Sequence, residues 1–567
     1  MAAILKPVEA RPVDRPWLAL YPPGSAPDID PRGLSSVIQL FKSAAVRHPD
    51  RVAVSCLGSD LSYRELEAAS RALAAWFASL GLPRGARVAL MMPSTPAYLA
   101  CQLALMRVGL VAVNVNPLYT PRELAHQLRD SGAETIVVLE NFAATVEAVR
   151  EKVPLRQIVV ATLGDLLGPL RGRLVNLVAR HLKKVVPPWS LPGHLRLSDV
   201  LARGRSLPFN DHVPAADDLA MLQYTGGTTG LSKGAMLLHR NLLAASLQAT
   251  EWLRVLMRVP PAVDEPTLLV PLPLYHVFTI YMVMMAMSQG ARVVLVPNPR
   301  DVDSLVETMR RTRFHHMMGL DTLYRALADH PRIGQVDFSH CRGYVAGGTA
   351  TRQAVAERWH ALTGHWITEG WGMSETTGGG TCNPPHLDRF DGTIGVPLPS
   401  TRISIRDEAG RDLPVGQPGE ICITGPQVMS GYWQQPEATA EAFWPGGWLR
   451  TGDVGLFEAD GRVRIVDRMK DMALVSGFNV YPSEIESVVT QHPGVLEAAA
   501  VGVPDGDSGE AIRLFVVKRS PALDEAMLRA HCAEHLTNYK RPKQIVFLDA
   551  LPKSPVGKVL RRELKGR

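Results

Sequence analysis

The 567-residue sequence predicts an α/β fold: a large N-terminal domain of α/β subdomains followed by a small α+β C-terminal domain. Three observations carry this. The length exceeds what one hydrophobic core usually supports, so at least two domains are expected. Over the first part of the chain, strand-like apolar runs alternate with helical patterns, which implies parallel sheet with crossover helices. After about Arg468 the texture changes to a compact series of short strands and helices.

The elements follow in order. Ser62-Tyr-Arg-Glu65 and Thr120-Pro-Arg-Glu123 read as capping boxes, the second with Pro121 at the first helical position. Between them, residues 87–92 and 109–115 read as buried strands flanking a helix over 96–106. Residues 218–224 read as a further strand, and a helical stretch begins at His239. In the C-terminal part, Tyr481-Pro-Ser-Glu opens a short helix, 495–503 and 511–517 read as strands, and 525–536 as a helix. The closing LPKSPVGKVLRRELKGR is rich in Gly and Lys and is expected to be too mobile for a core.

Composition excludes several classes. A hydrophobic content of 46% with 20% charged residues is that of a soluble globular protein. The net charge of +6 is mild for this length; generic surface basicity explains it more cheaply than nucleic-acid binding, no nucleic-acid module is recognisable, and no nucleic-acid partner is expected. The six cysteines form no CxxC pair, so neither a disulfide framework nor a zinc site is expected, and a reducing cytoplasm fits. The N-terminus lacks the apolar core of a signal peptide, and the most apolar run, 277–287, is too short to span a bilayer. Residues 170–186, LRGRLVNLVARHLKKVV, leave two alternatives. Five basic residues surround apolar positions at near-helical spacing, and no acid occurs from Leu166 through Ser198. Such a helix either packs on its own domain or lies on anionic lipid, which would place the protein peripherally on the inner face of the membrane. The chain is also compatible with a homodimer.

Five stretches carry candidate chemistry. QYTGGTTGLSKGAMLLH, from Gln223 to His239, offers four glycines, hydroxyl side chains and Lys233 at what reads as a strand-to-helix turn. Backbone N–H groups and hydroxyls in such a turn suit phosphate, although the spacing is not that of a Walker A loop. ITEGWGMSETT, from Ile367 to Thr377, sets Trp371 between glycines, where its face meets either a flat ligand or the core, and Glu375 beside hydroxyls that suit Mg²⁺. Gly347 and Gly348 of AGGTA offer backbone for a ring edge. In GGWLRTGDVG, Asp453 either grips ribose hydroxyls or caps its own turn. Asp467, Arg468, Lys470 and Asp471 form a charge cluster at the domain boundary, and PKSPVGK places Lys558 after the pliant Gly557.

These stretches, in this order, closely resemble the adenylate-forming enzymes, the superfamily of acyl-CoA synthetases, adenylation domains and luciferases. The resemblance runs from about Leu34 to Arg562. LPLYHVF, GPQVMSGYW, DRMKDMALVSGFNVYPSEIE and LPKSPVGKVLRREL look most like bacterial long-chain fatty-acid–CoA ligases. The resemblance implies ATP, Mg²⁺ and CoA, with a long- or medium-chain fatty acid converted through acyl-AMP to a thioester. It implies an N-terminal domain over 1–467, a hinge at 468–470 and a mobile C-terminal lid over 471–567. Thr225, Gly226, Gly227, Thr228, Thr229, Gly230 and Lys233 would hold the β- and γ-phosphates. Gly347, Gly348, Trp371, Gly372 and Ser374 would line the adenine side, Glu375 would bind Mg²⁺, and Asp453 and Arg468 the ribose. Lys558 is carried over as the adenylation lysine, so that Lys558, Glu375, Thr225 and Arg468 form the implied catalytic set. Lys470 matches the hinge; Ser476, Gly477 and Phe478 match the pantetheine path. His276 and Phe278 match the acyl gate, and Gly319 a tunnel position. Two departures stand out. Met469 replaces a frequent lysine, and Thr376-Thr-Gly-Gly-Gly-Thr381 replaces a more apolar segment beside the acyl channel. The rival expectations are a ligase for an aryl or bile acid, a fatty acyl-AMP ligase loading a carrier protein, and a catalytically silent lipid-binding scaffold.

Overall fold

The computed structural model describes residues 15–31, 33–225, 232–258, 263–385, 389–475, 478–506, 508–553 and 559–566. Contacts divide the chain into two compact units. One comprises Trp17–Arg402 and Thr424–Glu441; the other is built from Ile403–Ile423 and Ala442–Arg567.

The first unit holds two large sheets. The seven-stranded sheet runs in the order Leu195–Arg196, Gln157–Ala161, Thr135–Leu139, Arg87–Met91, Val111–Asn114, Leu219–Tyr224, Gly234–Leu238. Every pairing in it is parallel except the last, where Gly234–Leu238 returns antiparallel beside Leu219–Tyr224. The β-branched runs Thr135–Leu139 and Val111–Asn114 are buried throughout, as strands covered on both faces must be. The nine-stranded sheet has a parallel centre that includes Thr267–Val270, His316–Gly319, Gly343–Ala346 and Ile367–Trp371.

The helices begin where the sequence marks them. Both capping boxes form, with Glu65 accepting from the Ser62 N–H at 2.7 Å and Glu123 from the Thr120 N–H at 2.8 Å. The helix Pro96–Val108 ends on Gly109 at φ 74°, so that the strand expected from 109 starts only at Val111.

The basic segment forms the helix Pro169–Leu177, which continues through a wider π-type turn, Val178–Leu182. It packs through its small residues. A Cβ on Gly172 would stand 2.4 Å from the Gly164 carbonyl oxygen, and Ala179 is buried. Arg180 is paired with the buried Glu140, and Arg171 donates to the Leu57 carbonyl. The apolar face points outward instead, with Leu170 82% and Leu182 71% exposed and Leu174, Leu177 and Val185 exposed beside them.

The second unit contains an antiparallel sheet that includes Gly419–Thr424, Trp448–Phe457 and Val463–Arg468. Its other sheet pairs Val495–Asp505 with Gly509–Lys518 in a hairpin, and Gln544–Leu548 joins in parallel. Beside the turn of this hairpin the Ser508 hydroxyl donates to Asp505 at 2.6 Å. The C-terminal strip departs from expectation. Leu551 and Leu564 are buried in one cluster with Val501 and Phe515, because the short helix Arg561–Lys565 turns one side into the sheet. All six cysteines are buried thiols. Among the described residues no helix is long and apolar enough to cross a membrane.

If the tail is core, Leu564→Ala should cost about 2–4 kcal/mol in denaturant unfolding of the C-terminal unit. A loss near zero would restore the mobile tail.

Candidate active site

The phosphate-loop candidate is not a strand-to-helix turn. Leu219–Tyr224 and Gly234–Leu238 are antiparallel neighbours, with Tyr224 opposite Gly234, and the Thr225 N–H donates to the Lys233 carbonyl at 3.0 Å. The loop therefore closes a hairpin, and the helix His239–Arg258 starts only after the second strand. Gly226, Gly227, Thr228, Thr229 and Gly230 lie outside the described residues.

Residues 430–433 add to the outer edge of this hairpin. Tyr432 bridges Ala235, the Trp433 N–H donates to the Gly234 carbonyl at 2.8 Å, and the Met236 N–H to the Gly431 carbonyl at 2.9 Å. This brings three side chains together. The Lys233 ammonium sits 5.1 Å from the centre of the Tyr432 ring, within cation–π range. The Tyr432 hydroxyl donates to Glu375 Oε1 at 2.8 Å. Glu375 is buried, and its main-chain carbonyl accepts from the Met429 N–H at 2.8 Å. A cation over the ring and a carboxylate at the hydroxyl thus meet on one aromatic side chain. The carboxylate also holds the Tyr432 phenol above its ordinary range, after burial as the larger cause. Sequence reasoning quoted the GYW stretch but passed over Tyr432. Its signal would have been an aromatic residue two places after Ser430, at the end of that same motif.

A second group of residues meets around Phe278. The helix Val277–Ser288 is buried except at Phe278. A Cβ on Gly347 would lie 3.7 Å from the Phe278 ring, and one on Gly378 2.8 Å from the Phe278 Cα. Gly372 and Gly378 also face each other, with a Cβ on the former 2.5 Å from the backbone of the latter. This explains the glycine run that departs from the apolar pattern: loop 376–381 packs backbone against backbone, which only glycine permits. Thr377 holds a left-handed φ of 54°, secured by its hydroxyl donating to the Gln427 carbonyl at 2.6 Å. Ser374 opens the short turn Ser374–Thr376, and Trp371 is buried at the end of its strand. Tyr275 and His276 rings stand 4.8 Å apart just before the helix. At Gly319 the side-chain space is taken by the Tyr324 ring, 2.8 Å from where a Cβ would be.

Gly348, at φ 82°, turns the chain after the strand Gly343–Ala346. Two carboxylates then secure the turn. Glu369 accepts from the Thr351 N–H at 2.5 Å, and Asp321 accepts from the Arg352 N–H at 3.0 Å while pairing with its guanidinium. Glu369 is buried; desolvation, with Asp321 and Asp391 nearby, pushes its pKa up to about 7 against the opposing hydrogen bond from Thr351.

In the second unit, Asp453 and Arg468 face each other across adjacent strands, and Arg468 Nε is 3.0 Å from Asp453 Oδ1. The Asp453 side chain is almost wholly buried, whereas Arg468 is partly exposed. Burial, helped by the charge of Arg468, lowers the Lys470 ammonium from its ordinary range. Phe478 is exposed and stacks on Tyr539 at 4.7 Å. Ser476, Gly477 and Lys558 lie outside the described residues.

The AMP-binding enzyme domain signature matches residues 41–433, and that of the AMP-binding enzyme C-terminal domain matches 484–558. The chain belongs to the AMP-binding enzyme family. A long-chain-fatty-acid–CoA ligase from Salmonella typhimurium is 45% identical over 97% of both chains. Its Bacillus subtilis counterpart in name is 32% identical, also over 97% of both. Among solved structures, ATP-bound MatB from Rhodopseudomonas palustris is 31% identical, with a TM-score of 0.78 over 93% of this chain and 98% of that one. The two sheets and the hairpin at Thr225 are therefore the AMP-binding enzyme fold.

The raised Glu369 gives a stability prediction for this family member. Between pH 4.5 and about 7 the folded chain keeps a proton that the unfolded chain has lost, so stability falls as pH rises through that window. Glu369→Gln keeps the acceptor for the Thr351 N–H and removes the titration. It should stabilise the protein at pH 8 relative to wild type by as much as about 3 kcal/mol, and much less at pH 5. A thermal-shift difference that does not change with pH would refute this.

Proposed function

We propose that this chain activates a long- or medium-chain fatty acid with ATP and passes it to CoA, giving fatty acyl-CoA, AMP and pyrophosphate. The observation that carries the proposal is likeness along the whole chain, at 45% identity, to ligases named for that reaction. The joined Lys233, Tyr432 and Glu375 fit it chemically.

In the first half-reaction a carboxylate oxygen bonds to the α-phosphorus and the bond to pyrophosphate breaks. In the second, the CoA thiolate attacks the acyl carbon and AMP leaves. The protein's part is to position groups and balance charge. Lys233 is proposed to neutralise the departing pyrophosphate, with Thr225 and its loop donating N–H and hydroxyl groups. Glu375 is a single buried carboxylate held in place by Tyr432, which fits Mg²⁺, an ion usually bound by one or two carboxylates plus phosphate oxygens. When bound, Mg²⁺ would supply charge neutralisation at those oxygens. Trp371 is proposed to stack on adenine, with Gly347, Gly348, Gly372 and Ser374 beside it, and Asp453 and Arg468 to hold the ribose. Lys558 is proposed as the adenylation lysine, Lys470 as the hinge, and Ser476 and Gly477 as part of the pantetheine path. His276 and Phe278 are proposed as the acyl gate. Gly319 is better assigned to seating Tyr324 than to opening a tunnel.

ATP–pyrophosphate exchange across saturated and unsaturated fatty acids, with ferulate and a bile acid as rivals, tests the proposal. Exchange should be fastest with the long-chain acids; no exchange with any acid would overturn it. Lys558→Ala should slow exchange by about 10²–10³, the scale of one lost transition-state donor, and spare thioester formation from supplied acyl-AMP. Equal loss in both half-reactions would refute the role of Lys558.

Peripheral contact with anionic lipid is proposed for the outward face of residues 170–185. Leu170, Leu174, Leu177, Leu182 and Val185 are exposed together, with Arg173 and Lys184 exposed among them. Apolar area with cationic flanks is what seats a helix at a bilayer surface, and a fatty acid substrate itself partitions there. Changing the four leucines to Ser should abolish co-sedimentation with phosphatidylglycerol vesicles while leaving exchange with a soluble medium-chain acid intact. Undiminished sedimentation would overturn this.

A further inference from the structure

The two sheets of the first unit carry different parts of the candidate site. The strand Leu219–Tyr224 of the seven-stranded sheet runs directly into Thr225 and the phosphate-loop candidate. The strand Thr267–Val270 of the nine-stranded sheet continues through residues 271–275 to His276 and the helix Val277–Ser288. Between them lies a chain of buried polar side chains. The Tyr98 hydroxyl donates to Asn114 Oδ1 at 2.7 Å, Asn114 Nδ2 donates to Gln223 Oε1 at 3.0 Å, and Gln223 Nε2 donates to the Tyr275 carbonyl at 3.1 Å. Tyr98, Asn114 and Gln223 are each less than 5% exposed.

The direction of this chain is fixed from one end. A main-chain carbonyl only accepts, so Gln223 must present its amide nitrogen to Tyr275 and its oxygen to Asn114. Asn114 must then turn its own oxygen to the Tyr98 hydroxyl, which donates. Two further braces keep the path in register. Gln127 Nε2 donates to the Asn114 main-chain carbonyl at 2.9 Å, and the Ser94 hydroxyl donates to Leu272 O and accepts from Leu274 N, both at 3.0 Å. Apolar residues could join the sheets as firmly, but a buried hydrogen-bonded chain adds directional contacts that favour one relative placement.

We propose that Gln223 is a positioning residue that ties the segment Tyr275–Phe278 to the strand bearing the phosphate loop, and so sets the acyl carboxylate at the right distance from the nucleotide. The inference rests on the acyl-activating reading above. Gln223 lies two residues before Thr225, and its partner Tyr275 immediately precedes His276, the residue at the N-cap of the helix. One side chain therefore links the roots of both binding segments. Gln223 touches neither substrate; it acts through Tyr275.

The test compares Gln223→Leu and Gln223→Glu with Tyr98→Phe. The first readout is amide hydrogen exchange and needs no assumption about the reaction. In Gln223→Leu the Thr279 and Ile280 amides, which donate to the His276 carbonyl, should exchange about tenfold faster or more, with the helix Pro96–Val108 unchanged. The second is pyrophosphate exchange with a long-chain acid. KM for the acid should rise about tenfold while KM for ATP stays within about twofold. Gln223→Glu should show the same defect when ionised and recover as pH falls, because a protonated carboxyl again donates to Tyr275. Tyr98→Phe, at the far end, should show a smaller defect of the same kind. Unchanged amide exchange at 279 and 280, or an equal rise in both helices with both KM values moving together, would overturn the proposal. Wild-type protein inactive with every acid would sink the acyl-activating reading instead, and the amide exchange would still decide whether Gln223 ties the segment.

Discussion

Tyr432 lies against Ala235 on the outer edge of the Gly234–Leu238 strand, and the arrangement of the candidate site depends on that edge pairing. An edge strand offers a row of main-chain groups, and residues 430–433 use it to anchor a segment far away in sequence. The anchoring sets the tyrosine ring under Lys233 and its hydroxyl on Glu375. Lys233 follows a strand of one sheet and Glu375 a strand of the other, and Tyr432 contacts both.

The same economy recurs deeper in the unit. Where the phosphate-loop strand meets the acyl-side segment, hydrogen bonds between buried amides favour one register for the junction. Where loop 376–381 meets Phe278, the absence of side chains does so, since Gly372 and Gly378 allow backbone to approach backbone. Polar satisfaction and close packing are both short-range and both intolerant of a shift, so they define positions that apolar burial alone would leave loose.

Much of this was legible in the sequence. Strong local signals told the truth: both capping boxes formed as read, and the runs at 87–92 and 218–224 became strands within a residue. The errors share a cause, which is that local pattern says nothing of what packs against it. Gly234–Leu238 is too short to announce its own period, so the helix after it seemed to follow the loop directly. The spacing of Leu170, Leu174 and Leu177 marked one helical face but not whether it points in or out. A Gly172–Gly164 contact decided that, and nothing in a single sequence marks two glycines as neighbours. Leu564 looked like part of a charged tail because its burial depends on a sheet assembled from residues before it. Tyr432 was invisible as a site residue for the same reason: its role comes from the strand edge on which it lands.

The buried cysteines acquire a meaning from the proposed chemistry. An enzyme that holds a mixed anhydride next to a thiol must prevent its own thiols from taking the acyl group. Cys56, Cys382 and Cys422 are pushed up to about 12 by burial and Cys341 to about 11, while Cys101 and Cys532 are also raised. Only a thiolate is a competent nucleophile at sulfur. Burial thus leaves all six poor nucleophiles at neutral pH, and in the proposed reaction an activated acyl group would meet the incoming coenzyme as the stronger sulfur nucleophile.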